Sequence, residues 1–444
     1  MISPRTRELG FLVPAALAGL VGAGAVAAAR ADELDLGPLP AACGVLALFL
    51  VMHLVLRWRA PLADPYVLPV VGVLVAVGLV ELDRIDPALA RDQTLWVALG
   101  ALVFCLVVIL LPDHRVLERY RYVIGASAVG LLIVTMVFGT RINGSKLWID
   151  VGGGQTIQLG ELAKVLIVIF LAGYLRDKRE VLAIPTTRHL GLALPAARHF
   201  GPVLVFWGAA LATVVVLNDF GTALLFFGVF LAMLYLATGR AAYTAVGLAL
   251  FAAGSAVVYA VVPRVQERVD AWLHPFDDAQ GQGYQLVQSL YALADGSVVG
   301  PGLGKAYLIT DAGHPVIPAV QTDFIFSAVA NELGYVGGVA VLLLFLLLVA
   351  RGMAIAAAAR DGFSKLLAGG LTAVIGLQAI LIIAGVIRVV PLTGVTLPFM
   401  SYGGSSVVVN FGLVALLLII SHRSATPPGR APARRREPVE DEEE

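Results

Sequence analysis

Twelve long apolar runs constrain this chain more than any other feature of its sequence. Their lengths approach the roughly 20 helical residues needed to cross a hydrocarbon core ~30 Å thick. Charged residues make up only 14% of the 444 residues, against roughly 25% in soluble domains. The sequence therefore predicts an all-α polytopic membrane protein with about 12 transmembrane helices. The runs lie near residues 10–29, 40–56, 66–81, 94–111, 122–139, 161–175, 200–217, 220–238, 241–262, 323–350, 366–387 and 403–421.

The first run resembles a secretory signal peptide, because Arg5 and Arg7 precede it and AVAAARA closes it. The apolar stretch of a signal peptide usually has ~7–15 residues. This run is longer, since it extends over residues 10–29. We therefore expect it to be a first transmembrane helix.

The distribution of Lys and Arg predicts how the helices are oriented. With twelve spans both termini lie on one side, and 21 of the 31 Lys and Arg residues fall in the termini and loops of that side. Basic residues accumulate in cytoplasmic loops, so both termini are expected to be cytoplasmic. The formal net charge is zero, which gives no reason to expect a nucleic-acid partner. Cys43 and Cys105 lie within apolar runs, which disfavours a disulfide framework or a thiolate metal site.

Three regions follow from this topology. Residues 1–65 would hold the cytoplasmic start and an extra transmembrane helix pair, and residues 66–422 the membrane core. The core includes a large extracellular loop at 263–322. The segment at 423–444 is Pro-rich, then basic, then acidic, and is expected to be a disordered cytoplasmic tail.

The long loop gathers charge in a chain that is otherwise poor in it. Its segments VQERVDAWL and YQLVQSLYALA have a helical repeat of apolar residues, and short helices of this kind usually lie flat on the membrane interface. The loop leads to Asp323, at the start of an apolar run. An ionisable side chain at this position is either a functional residue or an N-cap for the next helix, and the residues alone leave both interpretations open.

Two motifs near the fifth and sixth runs have functional and structural interpretations. Glu161 and Lys164 stand one helical turn apart in QLGELAK, where structural pairing is the default. Upstream, INGSKLWIDVGG contains Lys146 and Trp148, and a Trp at a membrane interface is typical of an aromatic belt.

Three glycine-containing segments interrupt the apolar pattern. NDFGT at 218–222 is predicted to be a tight turn with Asp219 at the membrane edge, and GPGLGK at 300–305 a turn that lacks the spacing of a phosphate loop. RVVPLTGVTLPFMSYGGSS at 388–406 has two prolines and three glycines, so it cannot form a continuous lipid-facing helix. Irregular backbone at membrane depth is tolerated only inside protein or beside a wet cavity, and we expect this segment to border a substrate path.

Together these motifs resemble those of the SEDS (shape, elongation, division and sporulation) family of bacterial cell-wall proteins, whose members include RodA, FtsW and SpoVE. The resemblance covers roughly 66–421. It rests on ING-x-x-x-W-I at 142–149, Q-x-x-E-x-x-K at 158–164, D-x-G-T at 219–222, GYQ at 283–285, G-x-G-x-G at 300–304, TDFIF at 322–326 and PLTG-x-T-x-PF-x-SYGGSS at 391–406.

The resemblance implies a ten-helix core and the activity of a peptidoglycan glycosyltransferase. Such an enzyme polymerises lipid II into glycan strands at the outer face of the cytoplasmic membrane, with inversion at the anomeric carbon. It implies Asp323 as catalytic general base, and the reaction also needs positive charge for the departing pyrophosphate. A divalent cation such as Mg²⁺ or Mn²⁺ would suit this chemistry, although no motif fixes a ligand set. The expected substrate-binding residues are Lys146, Trp148, Glu161, Lys164, Asp219, Arg264, Arg268, Gln285, Lys305, Arg388, Thr393, Ser401 and Ser405.

The sequence leaves two other functions open. A lipid II flippase or transporter predicts paired charges near the bilayer midplane and inverted repeats, whereas this chain concentrates charge at the predicted outer face. A non-catalytic scaffold would leave Asp323 dispensable. The expected partners are lipid II, a class B penicillin-binding protein, other elongation or division complex proteins and membrane lipid. The loop sequence RVDAWLHPF and the extra helix pair favour a RodA-like role in elongation over an FtsW-type role in division.

Overall fold

A computed structural model describes residues 3–30, 39–111, 113–142, 145–152, 155–183, 187–189, 192–194, 208, 219–310 and 314–427. Within these ranges the chain forms fourteen helices and five short strands. The helices are α1 (Pro4–Arg30), α2 (Leu39–Arg59), α3 (Val67–Ile85), α4 (Pro87–Leu110), α5 (Val116–Arg119), α6 (Arg121–Phe138), α7 (Leu159–Ala183), α8 (Phe220–Thr238), α9 (Ala241–Val261), α10 (Pro263–Leu273), α11 (Tyr284–Asp295), α12 (Ile325–Ala358), α13 (Gly362–Val386) and α14 (Gly404–Ala425).

The prediction of a polytopic helical membrane protein is confirmed. In the described part of the chain nine helices are long and apolar enough to cross a membrane, and each coincides with a predicted span. The predicted spans at 66–81 and 161–175 lie on α3 and α7, which carry more charge. The span predicted at 200–217 falls almost wholly outside the described residues, as does the tail beyond residue 427.

Helix α13 lies at the centre of the bundle and α9 at its edge. The most apolar part of α13 is 78% buried and that of α9 is 0% buried. Small residues permit the close packing around α13, as is usual between membrane helices. A methyl group added to Gly370 would lie 2.7 Å from both Met233 and Val168, on the two neighbouring helices α8 and α7.

A small antiparallel sheet departs from the prediction of helices alone. Strands β1 (Thr140–Ile142), β2 (Ser145–Gly152) and β3 (Gln155–Ile157) pair in the order β1-β2-β3 between α6 and α7. A second hairpin joins β4 (Thr187–His189) to β5 (Leu192–Leu194). Their short length and interleaved polar residues gave no apolar run, so hydropathy alone did not reveal them.

The two helices predicted in the long loop are present as α10 and α11, but they differ in their packing. Helix α11 contacts α12 and α13, and the hydroxyl of Ser289 lies 2.8 Å from that of Ser327. Helix α10 has no fully buried residue. Only α10 therefore has the peripheral position expected of an interfacial helix.

The first two helices, α1 and α2, are attached to the rest of the bundle by packing and by buried charge. Helix α1 packs on α3, and α2 packs on α4. Near one end of the pair the carboxylate of Glu8 accepts from Arg5 at 2.5 Å and lies 2.6 Å from His53. The Arg5 guanidinium also donates to the carbonyl oxygen of Asp64, at 3.2 Å, in the connection to α3.

Candidate active site

Asp323 lies in a tight turn immediately before α12. The turn includes Ala319 in a left-handed conformation, with φ 58°, and its carbonyl oxygen accepts from the Asp323 backbone at 3.1 Å. The N-cap position of α12 is Phe324, and no side chain caps this helix. Asp323 therefore does not cap α12, and the N-cap interpretation of this residue is wrong. Burial raises the pKa of the carboxyl group to about 6, against opposing effects of Thr322 and Arg268.

The irregular segment at 388–403 forms a wall beside Asp323. Ser401 donates to the carbonyl oxygen of Thr322 at 2.5 Å and accepts from the backbone of Leu397 at 2.9 Å. The backbone of Tyr402 donates to the carbonyl oxygen of Gln321 at 2.8 Å. These bonds fix the segment against the turn that carries the carboxylate. A methyl group at Gly394 would lie 3.9 Å from Oδ2 of Asp323.

Arg268 on α10 places positive charge near two carboxylates. Burial and the neighbouring Arg264 lower the pKa of the Arg268 guanidinium, whereas Asp219 and Asp323 raise it. The guanidinium on this peripheral helix is therefore within electrostatic range of both acids. Such a cation stabilises ionised carboxylates and binds phosphate groups well.

Asp219 begins α8 and also lines a small cleft. Its Oδ1 accepts from the backbone of Thr222 at 3.0 Å, which is an N-cap interaction. The cleft is lined further by Gln158 and Glu161. Burial raises the pKa of Asp219, and the charge of Glu161 adds to that effect. This carboxylate therefore has a structural role as the N-cap of α8, in addition to lining the cleft.

Glu161 and Lys164 belong to a buried polar chain that crosses the bundle. Their charged atoms lie 2.7 Å apart, and Lys164 donates to Oε1 of Gln378 at 3.0 Å. The amide nitrogen of Gln378 donates to the carbonyl oxygen of Thr396 at 2.7 Å, and the Thr396 hydroxyl donates to Ser406 at 3.0 Å. The chain ties α7 and α13 to the wall segment. Sequence reasoning missed Gln378, since a lone glutamine in an apolar run carries no motif.

Glycine at position 221 allows the start of α8 to approach the wall segment. A methyl group there would lie 2.2 Å from the carbonyl oxygen of Thr393. The Thr393 hydroxyl is buried with no hydrogen-bond partner. On the other side, Ser405 accepts from the backbone of Gln158 at 2.9 Å, which joins the start of α14 to the start of α7.

Four other predicted site residues lie apart from this cluster or have structural contacts. The ammonium of Lys146 caps α6, because it donates to the carbonyl oxygens of Met136 and Val137 at 2.7 and 2.9 Å. Trp148 is on β2, and its carbonyl oxygen accepts from Thr140 at 2.9 Å. Gln285 and Lys305 are exposed.

The glycine-rich turn that contains Lys305 is held by a buried ion pair that the sequence did not indicate. Arg84 on α3 lies 3.2 Å from Glu332 on α12, and the other Glu332 oxygen accepts from the backbone of Gly304 at 2.9 Å. Glu81 is fully buried beside them, and neither of its carboxyl oxygens has a hydrogen-bond partner. The turn at 300–305 is therefore held against the bundle by its hydrogen bond to the charged Glu332 side chain.

No three His, Cys, Asp or Glu side chains of the described ranges are grouped as ligands of a single ion.

The fold and the site define a class: a multi-pass membrane protein with an acidic and basic cluster where helices end. The chain belongs to the FtsW/RodA/SpoVE family, because the family model described as "Cell cycle protein" matches residues 61–426. The resemblance seen in the motifs is thus confirmed.

Curated relatives support this assignment over most of the chain. Peptidoglycan glycosyltransferase RodA of Mycobacterium tuberculosis is 41% identical over 409 residues, which cover 89% of this chain and 85% of that protein. Stage V sporulation protein E of Bacillus subtilis is 32% identical over 338 residues, covering 76% and 87%. A probable FtsW of Geobacter metallireducens is 31% identical over 343 residues, covering 76% and 86%.

Solved structures of related proteins have the same fold. The crystal structure of the rod shape determining protein RodA of Thermus thermophilus has a TM-score of 0.60 at 25% identity, covering 84% of this chain and all of that one. A chain from a peptidoglycan synthase complex, in a study of how polymerization and crosslinking are coordinated, has a TM-score of 0.67 at 27% identity, covering 82% and 99%.

Proposed function

We propose that this protein is a peptidoglycan glycosyltransferase that polymerises lipid II, with Asp323 as the general base. The observation that carries the proposal is the state of Asp323. Its carboxyl group caps no helix, burial raises its pKa to about 6, and the charge of Arg268 is within electrostatic range of it. A base with a pKa near the working pH is both ionised and basic enough to accept a proton.

The proposed reaction joins the 4-hydroxyl of an incoming lipid II to the anomeric carbon of a growing chain. Asp323 takes the hydroxyl proton as the new C–O bond forms. The bond from the anomeric carbon to the pyrophosphate oxygen breaks, and the polyprenyl pyrophosphate leaves with that electron pair. Attack from the opposite face inverts the configuration. Arg268 and Arg264 on α10 would stabilise the charge of the departing group.

Several features support the finer parts of this proposal. The family match begins at residue 61, which fits an extra helix pair at 1–65 ahead of a core at 66–422. The Lys and Arg distribution supports cytoplasmic termini, with Asp323 at the outer face. The relative in a synthase complex supports a class B penicillin-binding protein as partner. The RodA relative at 41% identity supports a role in elongation.

A lipid flippase is the alternative that the buried pair of Glu161 and Lys164 favours, because charges within a bundle often mark a transport path. Both residues are already engaged, since Lys164 also donates to Gln378. Polymerase activity, unlike transport, also gives a role to the separate cluster at Asp323.

The test is lipid II polymerisation by the purified protein with its penicillin-binding protein, comparing wild type with Asp323→Asn. The matched control is Asp86→Asn, which changes an exposed aspartate whose side chain caps α4 by accepting from Ala88 at 2.8 Å. We expect glycan polymer from wild type and the control, and none from folded Asp323→Asn. Equal polymer from Asp323→Asn would remove this residue as base. Lipid II transfer across a vesicle membrane without polymer would favour the flippase.

A further inference from the structure

Arg388 occupies a backbone position that normally belongs to glycine. It follows the last turn of α13 with φ 61°, in the left-handed region that side chains disfavour. The backbone of Arg388 donates to Gly385 at 3.1 Å and that of Val389 to Ala384 at 2.7 Å. These two bonds are the Schellman pattern that ends a helix, in which the left-handed residue is usually Gly.

The contacts of the Arg388 side chain explain why an arginine occupies this unfavourable backbone conformation. Its Nε donates to the carbonyl oxygen of Trp272 at 2.8 Å, and its terminal nitrogen donates to that of Leu273 at 2.6 Å. These are carbonyls of the last turn of α10, which have no partner within that helix. In return the indole of Trp272 donates to the carbonyl oxygen of Arg388 at 3.1 Å. One arginine thus ends α13 with its backbone and caps α10 with its guanidinium.

This three-bond clasp joins the peripheral helix to the wall of the site. Trp272 is four residues after Arg268, so the two side chains share a face of α10. Arg388 begins the wall segment, whose Gly394 lies beside Asp323. Arg268 in turn is within electrostatic range of Asp219, Asp323 and Arg264, and its charge opposes the rise in the pKa of Asp323.

We propose that Arg388 is a positioning residue, whose clasp on the C-terminus of α10 holds Arg268 beside Asp323. The role of the clasp in catalysis rests on the proposed function, whereas its effect on α10 and on the Asp323 carboxyl does not. Strained backbone that persists at such a site is consistent with a functional constraint.

The main test uses Arg388→Gly, which relieves the left-handed strain and keeps the Schellman end of α13 while it removes the clasp. We expect thermal unfolding at or above the wild-type temperature, and faster hydrogen exchange of the last turn of α10. Infrared spectra of Asp323→Asn, subtracted from those of the protein that retains Asp323, isolate the carboxyl band of this residue. The pH midpoint of its titration should rise by roughly one pH unit in Arg388→Gly as Arg268 moves away. Trp272→Phe should give a smaller change in the same direction, and Trp58→Phe, at an exposed indole on α2, none.

A double-variant comparison separates positioning from a direct effect of charge. Arg268→Gln should raise the Asp323 midpoint by itself, and adding Arg388→Gly should then change it no further. In the polymerisation assay, Arg388→Gly should lower kcat and move the acid limb to higher pH. Unchanged exchange and an unchanged Asp323 midpoint in Arg388→Gly would overturn the proposal, and so would additive shifts in the double variant. If wild type makes no polymer, the proposed function fails while exchange and titration still decide on the clasp.

Discussion

The ammonium of Lys164 donates to Oε1 of Gln378 at 3.0 Å, deep between α7 and α13. The other end of the same amide donates to the carbonyl oxygen of Thr396 at 2.7 Å. A single neutral side chain therefore links the Glu161 and Lys164 pair to the wall of the candidate active site.

Gln378→Leu should lower stability by about 1–3 kcal/mol, because it leaves a buried ammonium and a buried carbonyl each short of one partner. Thermal unfolding in detergent measures this. Gln282→Leu is the control, since Gln282 is exposed and the change should stay within about 0.5 kcal/mol. Equal unfolding temperatures for Gln378→Leu and wild type would show that the polar chain adds no stability.

The raised pKa of Asp323 predicts how activity depends on pH. The proposed base must be ionised to accept a proton, so polymerisation should rise as pH increases through about 6 and then level off. Initial rates from pH 4.5 to 8 measure the acid limb. A rate that is flat through pH 6, with protein that stays folded, contradicts Asp323 as the base.

The same pKa predicts a stability cost at neutral pH. The ordinary value is 3.8, so between 3.8 and about 6 the folded state holds a proton that the unfolded state has lost. Stability should therefore fall as pH rises through this window and stay low above it. Asp323→Asn should be more stable than wild type at pH 7.5, by about 1–3 kcal/mol, and no more stable at pH 3.5. A gain of the same size at both pH values would assign it to another cause.

Gly221→Ala should damage the site through a clash of backbone atoms. The added methyl group would lie 2.2 Å from the carbonyl oxygen of Thr393, so α8 and the wall segment must separate. We expect polymerisation to drop at least tenfold and stability to fall by about 1–3 kcal/mol. Gly254→Ala on α9 is the matched control, because its methyl group meets nothing within 4 Å. It should be neutral or slightly stabilising.

Arg84→Leu should be strongly destabilising, because it leaves Glu332 and the neighbouring Glu81 buried without their cation. Removing one member of a buried ion pair typically costs about 3–5 kcal/mol. Adding Glu332→Leu should restore part of this loss. Arg91→Leu is the control, since Arg91 is exposed and bonds only locally to Pro87. Thermal unfolding of wild type and the three variants checks the prediction, and a double variant less stable than Arg84→Leu would contradict it.

Hydropathy predicted most of the helices because membrane spans are set by length and apolar content, which are local properties. The runs at 220–238 and 241–262 match α8 and α9 within one residue at each end. The strands at 140–157 were not predicted, because they contain no apolar run. For the site, TDFIF drew attention to Asp323 by its charge at the start of a span, whereas Gln378 and Glu332 lie inside apolar stretches with nothing to mark their partners.

The sequence by itself determined that the chain is a polytopic helical membrane protein of the FtsW/RodA/SpoVE family, because these depend on apolar length, charge distribution and ordered motifs. Only the tertiary structure decided which polar residues meet. Asp219 proved to be a helix cap and Asp323 proved not to be one. Arg388 was expected to bind substrate, and its guanidinium contacts backbone carbonyls of α10. The Arg388 contacts join segments more than a hundred residues apart, so they depend on burial and close packing that local sequence does not encode.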